Sequence, residues 1–142
     1  MPTDSCPRGR EAGFTLIEMA VVVAIIGILA AFTLPSYTRH VGKTYRTAAQ
    51  ACMAEYANYM ERFYTTNLRY DKTTPGAMDN ADPHLDCQTQ VARSYAISQD
   101  ATATGFTITA TPTTAQQNRD SVCGTLTLNQ RGTRGPTTDG CW

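Results

Sequence analysis

Most of the signatures that mark an enzyme or a metalloprotein are missing from these 142 residues. There is no glycine-rich phosphate loop and no CxxC pair, and the two histidines, His40 and His84, stand far apart and away from any ligand-like spacing. A Ser, His and acid set in a recognisable context is lacking as well. Asp79, Asp82 and Asp86 do not follow the spacing of a calcium-binding hand, so a solvated acidic turn is expected there. These absences speak against a catalyst and against a resident metal or cofactor. A surplus of charge is also missing, because 12 Lys and Arg balance 12 Asp and Glu. Composition therefore demands no polyanionic partner. The length leaves room for one soluble domain of about a hundred residues beside any membrane segment, and not for two large ones.

Another absence is local. From Met19 to Leu34 no side chain is ionisable, and Val, Ile, Leu and Ala dominate. As a helix, residues 14–34 reach about 31 Å, close to the hydrocarbon thickness of a bilayer. Glu18 stands inside that run, where a carboxylate costs at least about 2.5 kcal/mol, so it calls for a partner. Residues 1–13 are polar, with Arg8 and Arg10 offset by Asp4 and Glu11. An ordinary secretory signal would be cut at small residues after its apolar core; Ala30 and Ala31 are there, but the apolar run continues past them to "TLPSY". An uncleaved anchor explains the length and leaves Glu18 without a purpose. Arg39, Lys43 and Arg46 follow the span and rival the two arginines before it, so the positive-inside rule does not orient the chain. Of the five cysteines, Cys6 precedes the span, and Cys52, Cys87, Cys123 and Cys141 follow it. An even number on one side fits a disulfide framework better than zinc or free thiols and points to an oxidising compartment, the periplasm or the exterior of a bacterium. Four cysteines allow three connectivities.

Beyond Pro35, which removes a hydrogen bond and should kink the axis, apolar residues recur at three- and four-residue steps. Val41, Tyr45, Ala48, Ala49, Cys52, Met53, Tyr56, Tyr59, Met60 and Phe63 form an amphipathic stripe, with Lys43, Arg46, Glu55, Glu61 and Arg62 mostly on the other faces. One helix from about residue 14 to about 66 is expected, and its Met and aromatic stripe reads as core. Residues 67–90 are rich in Asp, Asn, Pro and Gly and read as a long loop. Segments 93–98, 105–112 and 123–129 alternate as strands, with Tyr95, Ile97, Phe106, Ile108, Ala110, Leu126 and Leu128 on one face. The expected class is α+β, a helix lying on an antiparallel meander.

The junction "GFTLIE", followed by an apolar helix and a proline, resembles the N-terminus of a type IV pilin, the subunit of thin bacterial surface fibres. The closing "CGTLTL" and terminal "CW" are most similar to minor pilins of the PilE type. The resemblance implies a pilin fold, with the apolar half of the long N-terminal helix in the membrane and a disulfide-closed loop at the C-terminus. It implies a leader over 1–13, a transmembrane and fibre-core helix over 14–35 and a periplasmic globular domain over 36–142. A prepilin peptidase would cut between Gly13 and Phe14 and methylate the Phe14 amine. Glu18 would then pair with the Phe14 amine of a neighbouring subunit, and Pro35 would mark a kink. The same resemblance favours pairing Cys123 with Cys141, which leaves Cys52 with Cys87. The function implied is that of a minor structural subunit of a pilus for adhesion, twitching motility or DNA uptake, not an enzyme, with no cofactor. Its partners would be other pilins, the peptidase, the inner-membrane assembly machinery and, before assembly, membrane lipid. The other readings are a pseudopilin of a type II secretion system and a minor pilin that binds DNA or a surface, for which Arg119, Arg131 and Arg134 are the candidate cations.

Overall fold

The structure is a computed structural model that describes residues 13–73 and 78–142, and of 33–36 the backbone alone. Residues 1–12 of the expected leader, with Cys6, lie outside the described residues, as do the turn at Pro75 and the side chain of Pro35.

Helix α1 runs unbroken over Leu16–Asn67. Leu68 ends it by taking a left-handed φ of 56°, and its N–H closes the last turn on the Tyr64 carbonyl at 2.7 Å. Contacts divide the chain into one unit that ends at Ser36 and a second that begins at Tyr37. In the second unit α1 is followed by a short helix α2 (Asp86–Val91), strands β1 (Tyr95–Ala101) and β2 (Phe106–Pro112), helix α3 (Thr114–Arg119), and strands β3 (Leu126–Asn129) and β4 (Arg134–Gly135).

The strands pair in chain order as an antiparallel meander, with Tyr95 opposite Pro112, Ala110 opposite Leu126 and Leu128 opposite Arg134. Alternation along β2 sends Phe106, Ile108 and Ala110 inward and the threonines outward. These side chains meet Ala49, Met53, Tyr56 and Met60 of α1 together with Tyr95, Leu126 and Leu128, and this cluster is the core. Each large apolar side chain buried there contributes about 1.5–3 kcal/mol, which lets a domain of this size hold a helix on a small sheet. Tyr70 extends the core at the upper end of α1, stacked on Tyr64 at 4.6 Å and edge-on to Phe106 at 5.1 Å. Two disulfides, Cys52–Cys87 and Cys123–Cys141, tie α2 to α1 and close the C-terminal loop.

The helical stripe departs from the sequence reading at Ala48, which is exposed, and at the neighbouring pair Tyr45 and Arg46. Arg46 is buried and Tyr45 is 40% exposed, the reverse of what apolarity alone suggests. Asp120, at the end of α3, supplies the reason, since it meets the Arg46 guanidinium at 2.5 Å. Gly42 lies where α3 packs close against the helix: a Cβ there would lie 3.1–3.3 Å from the Cβ and backbone of Arg119.

Candidate functional site

At the start of α1, Gly13 and Phe14 precede the first helical residue, both exposed, and a side chain at Gly13 would meet nothing within 4 Å. The Gly13–Phe14 peptide thus lies ahead of the helix, with Phe14 78% exposed. Thr15 caps the helix: its hydroxyl oxygen accepts the Glu18 backbone N–H at 3.3 Å, and its carbonyl accepts the Met19 N–H at 3.2 Å. Glu18 therefore sits in the first turn, where the helix dipole favours a carboxylate. Among the described residues no cation pairs with it. Beyond it the apolar side chains stand exposed, among them Leu16 at 93%, Leu29 at 60% and Phe32 at 77%. The helix is long and apolar enough to cross a membrane.

The second half of α1 carries a trough on its outer face. Its floor is made of small side chains, Thr44, Thr47, Ala48, Ala51 and Ala54, spaced so that they share one side of the helix. Cys87 and Val91 of the α2 region wall one flank, and Leu128 and Trp142 wall the other. Ala51 lines all three clefts of the trough, the largest of about 500 Å³. The Cys52–Cys87 bond fixes one wall, and the Gln50 amide, donating to the Cys141 carbonyl, anchors the other.

Behind the trough lies Arg46. One of its amino nitrogens donates to Asp120 Oδ2 at 2.5 Å and to Cys123 Sγ at 2.8 Å, and the other donates to the Gly140 carbonyl at 2.8 Å. A single buried side chain thus joins α1 to α3 and to both ends of the C-terminal disulfide loop. Gln116, fully buried, donates to the Gly42 carbonyl at 2.8 Å and fastens α3 to the helix a turn lower. Gln116 lies in a six-residue helix with no period to mark it, and Arg46 falls in one of two possible stripes on α1 that spacing alone does not separate.

The expected loop over 67–90 is organised around two polar residues. Asn80 donates to the Tyr70 carbonyl at 2.7 Å and accepts from the Tyr59 hydroxyl at 3.1 Å. Asp82 accepts from the His84 N–H, the Gln88 amide and the Tyr56 hydroxyl at 3.0–3.3 Å. Burial pushes the Asp82 carboxyl up, and these three donors more than offset it, leaving its pKa below the usual range. Burial and the adjacent Asp82 hold the Tyr56 hydroxyl well above its ordinary value. Asp79 faces Lys72, and Asp86 stands in the first turn of α2. Asp79, Asp82 and Asp86 thus have separate engagements.

The three candidate arginines are divided between the ends of the sheet. Arg119 lies beyond the end of β2, its guanidinium 5.9 Å from the ring centre of Tyr45. Arg131 lies in the β3–β4 turn, beside the start of β2, so the length of β2, about 20 Å at strand rise, separates the two. Arg134 shares the hairpin with Arg131 and rests over Trp142 at 5.4 Å.

Comparison with known proteins gives a consistent result. Residues 35–127 match the family described as type IV minor pilin ComP, DNA uptake sequence receptor, and residues 8–34 match the prokaryotic N-terminal methylation motif. A type IV major fimbrial protein FimA of Dichelobacter nodosus is 31% identical over 109 residues, covering 67% of this chain and 68% of its own. Another FimA from that species is 59% identical over 37 residues, and there the match spans only 23% of the relative's length. Among solved structures, a type IV pilin from Shewanella oneidensis superposes with a TM-score of 0.50 at 29% identity, covering 71% of this chain and 97% of that one.

Proposed function

Because this chain belongs to the type IV minor pilins, we propose that it is a subunit of a bacterial pilus, cut between Gly13 and Phe14 and assembled through its first helix. The family is a structural one, and the chain enters chemistry as the substrate of a peptidase. Cleavage would free an amine at Phe14, which the same enzyme would methylate. The carrying observation is the run of exposed apolar side chains from Leu16 to Phe32 with one carboxylate, Glu18, at its head. Such a surface is stable in lipid before assembly and, after it, in a bundle of like helices, where Gly27, Ala30 and Ala31 allow close approach.

In the bundle Glu18 meets the Phe14 amine of a neighbour. At about 4 Å and an effective dielectric near 20, the pair attracts by about 4 kcal/mol before desolvation is subtracted. The same pairing sets the axial register of the incoming subunit. The small-residue trough on α1 suits the close approach of another copy. On this reading the domain after Pro35 occupies the periplasm before assembly and the outside of the cell after it, where its two disulfides persist. Cells producing Glu18→Ala are expected to hold processed subunit in the membrane, with N-terminal residue Phe14, and to lack it in sheared fibres. Wild-type incorporation of that variant would remove the role from Glu18.

A second reading is a DNA-binding minor pilin, favoured by the family's description as an uptake-sequence receptor and by exposed Arg131 and Arg134 on one hairpin. Duplex binding that weakens steeply with salt, and less steeply after Arg131→Gln, supports it. Salt-insensitive or absent binding removes it. A pseudopilin role predicts loss of secretion instead of loss of fibres on deletion.

A further inference from the structure

We propose that the foot of the domain, formed by Arg39, Lys43, Arg93 and Arg119, binds the headgroups of anionic phospholipids where the chain leaves the bilayer; this rests on the reading of residues 14–34 as a membrane span. Between Glu18 and Glu55 the chain contains no acidic residue, while Arg39, Lys43 and Arg46 all fall in that interval. The structure separates the three. Arg46 turns into the core and is matched by Asp120. Arg39 and Lys43 stay exposed, one helical turn apart, and among the described residues no carboxylate pairs with either.

The fold then brings two more cations to the same end. Arg119, 76 residues beyond Lys43 in number, packs its backbone against Gly42 and extends its guanidinium over Tyr45. Arg93, also exposed, is held at the start of α3, where its carbonyl accepts the Thr113 hydroxyl at 3.2 Å. Asp120 is engaged by Arg46, and the exposed Asp139 lies next to the Gly140 carbonyl that Arg46 also holds. Among the described residues no carboxylate forms an ion pair with any of these four cations. Of the other acids, Asp71 and Asp79 belong to the loop, Asp100 to the far end of β1, Glu55 and Glu61 to α1 three or more turns beyond Lys43, and Asp86 to the first turn of α2.

Reach and chemistry select the partner. Arg39 follows Leu34 by five residues, about 7.5 Å along a helix and under about 18 Å however the chain is drawn, which puts it within the headgroup layer flanking a span that ends at Leu34. Exposed Tyr37, between the two, is the amphipathic residue favoured at that depth. Cations on a translocated flank run against the positive-inside tendency, yet the Cys52–Cys87 and Cys123–Cys141 bonds assign this flank to an oxidising side. An anionic leaflet supplies the matching charge within a Debye length. The contact retains the subunit in the membrane pool, and assembly has to break it.

The test places the full chain in phosphatidylcholine vesicles that contain trace spin-labelled phosphatidylglycerol or spin-labelled phosphatidylcholine, and compares the motionally restricted fraction of each label. At low salt the wild type should prefer the anionic lipid by about five-fold, the effect of one well-placed cation at a charged surface. The preference should fall towards one in about 1 M salt, where the Debye length is near 3 Å. The combined variant Arg39→Gln, Lys43→Gln, Arg93→Gln, Arg119→Gln should show a ratio near one at every salt concentration, with an unchanged unfolding midpoint, whereas Arg62→Gln at the other end of α1 should keep the five-fold preference. Equal restriction of both labels by the wild type overturns the proposal and leaves the span intact. A preference that survives in the combined variant also overturns it, as does a ratio near one accompanied by duplex DNA binding that the combined variant loses. No restricted component for either label means that the span reading itself has failed.

Discussion

Arg46 is the side chain whose loss should be felt most widely, because its guanidinium holds Asp120, Cys123 and Gly140 at once. Replacing it with methionine preserves much of the packing of its stem and leaves Asp120 partly buried without its cation. Removing one partner of such a pair costs about 3–5 kcal/mol. Urea unfolding of the full chain in detergent should show a loss of that size for Arg46→Met, and a smaller one when Asp120→Leu accompanies it, since no unpaired charge then remains. Equal losses in the single and double variants would mean that the guanidinium acts through packing alone. The same residue shows why part of the core escapes a sequence reader. Residues 42, 46, 49 and 53 and residues 41, 45, 48 and 52 are both acceptable stripes at three- and four-residue spacing. Choosing between them depends on Asp120, which is 74 positions away from Arg46.

The loop between α1 and α2 behaves as an element because Asp82 and Asn80 tie it to the helix. The Asp82 carboxyl titrates below its ordinary value near 3.9, so the stability it provides is complete above that value and is lost as the pH falls through the folded pKa. Tyr56→Phe deletes one of its three donors, which raises the folded pKa towards the ordinary one. The acid limb of loop opening, followed by amide exchange at residues 80–85, should then begin at higher pH than in the wild type; an unmoved limb would show that Tyr56 does not support the carboxylate. Elements differ in how openly the sequence announces them. α1 repeats its period over many residues, and in β2 Phe106, Ile108 and Ala110 alternate with threonine without a break. α2 and α3 have six residues each, too few for a period to emerge, and β4 is two residues, Arg134 and Gly135, paired only because β3 lies beside them. The strand read as 123–129 begins three residues later, at Leu126, because Cys123 and Gly124, with its φ of 54°, make the turn out of α3.

For the molecule as a whole, the N-terminal methylation motif was legible because Gly13, Phe14 and Glu18, which carry the resemblance, lie within six residues of chain. The trough was not, because its floor comes from α1 and its walls from α2 and from the C-terminal residues. Ala51 is the test of what the trough does. It is exposed in the monomer, so Ala51→Gln should leave unfolding within about 0.5 kcal/mol of wild type. If another copy packs there, the longer side chain blocks it, and the variant should be processed normally while its amount in sheared fibres falls several-fold. Undiminished incorporation would leave the trough as mere relief on the surface.

The disulfides and Arg46 also bear on how the domain withstands tension. A pull entering along α1 is passed sideways at neighbouring levels of the helix: at Arg46 into α3 and the last loop, at Gln50 into the chain terminus, and through the sulfur bond at Cys52 into α2. Shearing the helix out of its sheet requires these crosspieces to yield together, so a pull along α1 meets resistance at several levels at once.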